Sequence, residues 1–138
     1  MLLKSLDEIQ EYIEQNGIRF FNIYNDNFQC RCGCGEVLLD SELLEKLDYL
    51  RSLIDEPIKI TSAYRCKEHN ARIGGKPSSS HLKGLAVDIF IPNNHYRYKV
   101  LDNVFVEELF NRIGVAENFI HLDIDENKPQ EVCWGYFN

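Results

Sequence analysis

Asp88 stands in the middle of Leu85-Ala86-Val87-Asp88-Ile89-Phe90-Ile91, a run that is otherwise apolar and is closed by Pro92. Its length and β-branched content read as a mostly buried strand. A carboxylate inside such a strand costs several kcal/mol unless it is paired or binds a cation. Any fold this chain adopts must therefore bring a positive partner to Asp88. The preceding segment, Ser79-Ser80-His81-Leu82-Lys83-Gly84, offers one, because Gly84 lets the chain turn and carry His81 back toward the carboxylate. Further on, Phe119-Ile120-His121-Leu122-Asp123-Ile124 reads as another strand. Strand alternation puts Ile120, Leu122 and Ile124 on the core face and Phe119, His121 and Asp123 on the other. Two histidines and one carboxylate make a three-ligand set suited to zinc, with the fourth position open to water. Hydrogen-bonded residues in or beside a core are the competing reading.

The surrounding elements define an α+β chain in which helices pack on a small antiparallel sheet. Ser5, with Glu8 three residues later, starts a helix over 5–16 that carries Leu6, Ile9, Tyr12 and Ile13 and stops at Gly17. Ser41 to Ile54 presents Leu43, Leu44, Leu47, Leu50, Leu53 and Ile54 as one stripe, with Glu42, Glu45, Lys46, Asp48 and Arg51 toward water. Ile58 to Tyr64 alternates as a strand, 66–80 reads as loop, and a third helix is expected over 98–112, ending at Gly114. A single domain over 1–138 is expected, helical over about 1–56, with the sheet and its loops over about 57–138.

A formal charge of −7 leaves no excess of Lys and Arg for polyphosphate, which argues against nucleic acid as partner. No apolar run approaches a membrane span. The opening residues lack the basic-then-apolar order of a secretory signal, so synthesis in the cytoplasm is expected; a monomer is the separate expectation for the oligomeric state. Five cysteines stand at 30, 32, 34, 66 and 133. The run Cys30-Arg31-Cys32-Gly33-Cys34-Gly35 lacks the C-x2-C spacing of common zinc ribbons. A structural metal, buried free thiols and a disulfide to Cys66 all stay open.

The pattern S-x-H-x-x-G-x-A-x-D from Ser79 to Asp88, followed by H-x-D at His121 to Asp123, resembles the zinc D-Ala-D-Ala carboxypeptidases and endopeptidases. These form peptidase family M15, subfamily A, which includes phage endolysins and shares its fold with the hedgehog signalling domain. Pro57 to Arg65 is similar to that family's strand ending in arginine, His69-Asn70 and Ile73-Gly74-Gly75 to its connecting loop, and Val132-Cys133-Trp134 to its terminal aromatic. The similarity covers about residues 28–134. It implies Zn2+ held by His81, Asp88 and His121, and a peptidoglycan stem peptide as substrate. It also implies Arg65 as the group meeting a substrate carboxylate or the oxyanion, where a surface salt bridge is the plain alternative. Ser79 matches the motif serine, as a substrate contact or a turn former.

For the general base, Asn118 occupies a position where some members carry an acid. Asp123 and Glu117 are the rivals, and Asp123 has a second possible role in orienting a ligand histidine. The function implied is hydrolysis of an amide bond in peptidoglycan stem peptides, as in a phage or prophage lysin that reaches the wall after release. The alternative is a metal-containing module of the same fold that binds without hydrolysing.

Overall fold

The strongest apolar stripe becomes the longest helix. In the structure, a computed structural model describing residues 1–137, Leu2–Leu3 (β1) and Leu39–Asp40 (β2) pair antiparallel, with Leu6–Asn16 (α1) between them in sequence. Ser5 caps α1 by accepting the Glu8 N–H, and Gly17 ends it in the left-handed region at φ 68°. Ser41–Ile54 (α2) follows, capped by the Asp40 carboxylate, which accepts the Glu42 N–H at 2.9 Å. The chain continues through Ile60–Ser62 (β3), Lys67–Arg72 (α3), a 3-10 turn over Ser80–Lys83, Ala86–Phe90 (β4), Asn94–Val106 (α4), Arg112–Val115 (β5), Phe119–Asp123 (β6) and Val132–Gly135 (β7).

The larger sheet runs β3-β4-β6-β5-β7. Its pairs are antiparallel except β5–β7, which is parallel. Val87, Ile89, Ile113, Ile120 and Leu122 come from alternate positions of β4, β5 and β6, so they share one face of the sheet, and all are buried. They join Leu43, Leu44, Leu47 and Leu50 of α2 and Val100 and Val104 of α4 in one hydrophobic cluster. That face drives folding and leaves the opposite face free for polar groups.

Several sequence expectations are corrected. The third helix starts and stops early, at Asn94 and Val106, because Asn93 accepts the Tyr96 N–H at 2.8 Å as an N-cap. Residues 112–115, expected as its end, form β5, so Gly114 is a strand residue and not a stop. The segment 66–80, expected as loop, contains α3, whose first turn is capped by a thiol, Cys66, in place of the usual hydroxyl or carboxylate. Asp48, expected in water, is buried, and its carboxylate accepts the backbone N–H groups of Arg19 and Phe20.

Candidate metal centre

Strand register assembles the polar face. Ser62 of β3 pairs with Asp88 of β4, Asp88 with His121 of β6, His121 with Gly114 of β5, and Gly114 with Trp134 of β7. One line of neighbours thus crosses all five strands. The next line sets Ala86, Asp123, Arg112 and Val132 side by side. Gly114 has a steric reason to lack a side chain, since a Cβ there would lie 2.6 Å from Trp134 Nε1. Its absence lets the indole cross β5 to within 5.5 Å, centroid to centroid, of the His121 ring.

His81 arrives from the 3-10 turn. Ser79 caps that turn, its Oγ accepting the His81 N–H at 3.3 Å, and Gly84 closes it at φ 74°. Ser80 is buried and donates to Asp125 at 2.7 Å, and Lys83 also donates to that carboxylate, at 2.9 Å. Asp125 is fully buried and so anchors the turn carrying His81. Burial alone would raise the Asp125 carboxyl, but Lys83 and Ser80 hold it below its usual range. The sequence reading missed this residue, although it continues the alternation His121, Asp123, Asp125.

The three expected ligands converge. Ligand atoms of His81, Asp88 and His121 all lie within 4.8 Å of one another. His81 Nδ1 is 2.6 Å from the Ala63 carbonyl oxygen, which can only accept, so Nδ1 carries the hydrogen and Nε2 turns its lone pair to Asp88 Oδ1 at 3.2 Å. His121 Nε2 donates to Asp123 Oδ2 at 2.7 Å, which leaves Nδ1 facing the same Asp88 oxygen at 3.0 Å. Two imidazole lone pairs and a carboxylate oxygen then point at one spot, an arrangement that only protons or a cation can stabilise. For a tetrahedral ion with nitrogen and oxygen ligands at about 2.0–2.1 Å, neighbouring ligand atoms stand about 3.3 Å apart. The donor set fits a divalent ion.

Arg65 follows β3 and reaches this centre. Its Nε donates to Ser62 Oγ at 3.1 Å, Nη1 to Asn70 Oδ1 at 3.2 Å and Nη2 to Asp88 Oδ2 at 3.2 Å. A guanidinium has five N–H groups, so two stay free for a substrate oxygen. Asn70, buried, in turn donates to the Lys76 carbonyl at 2.9 Å and holds the loop beside the site.

Asp123 is 1% exposed and fully engaged. Oδ1 accepts from Arg112 Nε at 2.8 Å and from the Asp125 N–H at 3.1 Å, while Oδ2 accepts from His121. Burial would raise this carboxyl, but His121, the Asp125 amide and Arg112 hold it below its usual range. That environment suits a carboxylate that orients a ligand histidine and disfavours a proton acceptor. Arg112 escaped the sequence reading because it fell in the expected helix.

Glu117 is corrected as a site residue. It is exposed in the tight turn between β5 and β6, where the Ala116 N–H bonds the Phe119 carbonyl at 3.0 Å, and it does not line the cleft. The register of β6 is unbroken on both sides, so no bulge near Asn118 swings Glu117 inward.

The centre opens into a cleft of about 710 Å3. Arg65, Lys76, Arg112 and Lys128 contribute positive charge to its walls, and Trp134 and Tyr136 form an aromatic side. Ser79 lies on its lining. A family profile described as Peptidase M15 matches residues 21–123, which include His81, Asp88, His121 and Asp123. The chain belongs to the peptidase M15 family. No curated protein matches it. M15 peptidases are metallo-enzymes, in keeping with the donor set.

Protons compete for this M15 centre. Burial lowers the His121 pKa, but Asp123 and Asp88 outweigh burial and raise it above 6.5. A raised histidine stabilises the metal-free fold below its unfolded value of about 6.5 and loses that contribution as pH rises through the folded value. Metal requires the neutral ring, so metal affinity climbs with pH by up to about tenfold per unit for each proton released, and the climb continues above about pH 6.5. Competition titrations with a chelating dye at about pH 5.5, 6.5, 7.5 and 8.5 measure this. A flat profile from about pH 5.5 to 6.5 would exclude His121 as ligand.

Proposed function

We propose that this M15 peptidase is a zinc enzyme that hydrolyses an amide bond in peptidoglycan stem peptides. The observation that carries the reading is the cationic wall around the His81–Asp88–His121 donor set in a chain whose formal charge is −7. Arg65, Arg112 and Lys128 are ion-paired with Asp88, Asp123 and Asp125, yet basic side chains outnumber acidic ones on the lining, which suits a ligand with free carboxylates such as a stem peptide. When bound, zinc supplies Lewis acidity, which acidifies water and polarises a carbonyl.

The side chains divide the remaining work. Arg65 presents its two free N–H groups to the carboxylate or to the developing oxyanion. Asp123, clamped by Arg112, keeps the His121 ring turned so that Nδ1 faces the centre. Trp134 packs beside His121 and excludes water from that flank. Ser79 holds the backbone of His81 and lines the cleft, where it can contact substrate.

Incubation of the zinc-loaded protein with purified peptidoglycan tests the reading. Release of new amino groups, followed by mass analysis of the fragments, supports hydrolysis and identifies the bond. Binding to peptidoglycan without release at any pH favours the non-hydrolysing module. Asp123→Asn separates positioning from proton transfer. As the orienting partner of His121 its loss weakens zinc affinity by about 10–100-fold, and saturating zinc restores turnover. A general base would show the reverse, with affinity intact and kcat lost.

A further inference from the structure

At Cys66, the residue after Arg65, four sulfurs meet. Cys30, Cys32, Cys34 and Cys66 each bring Sγ within 4.8 Å of the other three. Cys30 and Cys32 stand 3.4 Å apart, and Cys32 and Cys66 3.7 Å. All four are free thiols. With metal–sulfur bonds of about 2.3 Å, a tetrahedral tetrathiolate separates neighbouring sulfurs by about 3.8 Å, close to these spacings.

The backbone is shaped to bring them together. In an extended strand, Cys30, Cys32 and Cys34 would sit about 7 Å from one to the next. Here Gly33 at φ 88° and Gly35 at φ 83° take left-handed conformations that coil the run inward. The Gly33 N–H bonds the Cys30 carbonyl at 3.4 Å, and the Cys30 N–H closes the loop on the Glu36 carbonyl at 3.0 Å. Two of the sulfurs act as acceptors. The Cys66 N–H points at Cys30 Sγ at 3.3 Å, and the His69 N–H at Cys66 Sγ at 3.4 Å. Amide N–H donors of this kind hold a ligand sulfur in place, as hydrogen bonds outside a metal's own ligands do. Cys30 and Cys66 are buried while Cys32 and Cys34 are exposed, which gives an ion a way in.

We infer that Cys30, Cys32, Cys34 and Cys66 hold a second, structural zinc ion. Its four sulfur ligands close the coordination sphere, so it binds no substrate. It fastens the segment between Asn16 and Leu39, which contains no helix or strand, to the residue that follows Arg65. The cleft wall at Arg65 then rests on a metal clip.

The test uses the full chain loaded with Co2+ in place of zinc, because sulfur-to-cobalt charge transfer in the near ultraviolet reports thiolate ligands alone. The wild type is expected to take two equivalents and show that absorption. The double variant His81→Ala/His121→Ala keeps the absorption with one equivalent. Cys32→Ser/Cys34→Ser, whose sites are exposed, loses it and also keeps one. Cys34→Ser alone, the milder change, weakens cobalt affinity at this site at least about tenfold while the chain stays folded by circular dichroism. Absence of the absorption in the wild type overturns the inference, as does its survival in the Cys32→Ser/Cys34→Ser protein. A mass 2 Da below the reduced chain, marking a disulfide among the four, also overturns it. The sulfur-to-cobalt absorption does not depend on the cleft, so failure here and failure of the peptidase reading are separable.

Discussion

Asp88→Asn is expected to remove the bound metal and peptidase turnover together. The asparagine keeps the shape of the side chain and an oxygen facing both imidazoles, so the strand pairing of Asp88 with His121 survives. What disappears is the negative charge that would balance a divalent ion between the two rings. Lewis-acid stabilisation is worth several kcal/mol, and about 4 kcal/mol corresponds to roughly a 10^3-fold fall in kcat/KM. Metal analysis after gel filtration and turnover on a defined stem peptide measure both losses in one preparation. Retention of full metal content by a folded Asp88→Asn protein would remove Asp88 from the ligand set.

Arg65→Lys is expected to fail in a different way. Lysine keeps the charge, yet a single ammonium cannot reach Ser62, Asn70 and Asp88 at once and still present two parallel donors to substrate. Loss of one preorganised donor at an oxyanion or carboxylate costs about 10^2–10^3-fold, so kcat/KM is expected to fall by that much while metal content at saturation is unchanged. A fall confined to KM assigns Arg65 to substrate carboxylate, and an equal fall in kcat and kcat/KM assigns it to the transition state. Wild-type kinetics in Arg65→Lys would reduce the residue to a surface ion pair.

Much of the fold and the centre is legible in the residues themselves. Asp88 in an apolar run, and His121 one residue from core leucine, carry their own physical contradiction, and the structure resolves it by setting them opposite each other on adjacent strands. The α2 stripe and the α1 cap depend on local spacing and are equally readable. What stayed hidden depends on partners far away in sequence. Gly114 looks like a helix stop until Trp134 is known to lie across it. Arg112 gains meaning only from Asp123, and Asp125 from Ser80 and Lys83. The Cys66 cap on α3 is invisible to rules built on oxygen side chains. Glu117 shows the converse error, since proximity in sequence to His121 gave no proximity in space once the turn was tight.

Trp134 is the chain's one tryptophan, and its ring lies 5.5 Å from that of His121. An imidazolium so near an indole quenches its emission, whereas a neutral ring locked to a closed-shell ion does not. Where His121 carries the proton that Asp123 and Asp88 favour, its displacement by an ion is expected to brighten this emission, so that occupancy of the M15 centre can be followed without any label.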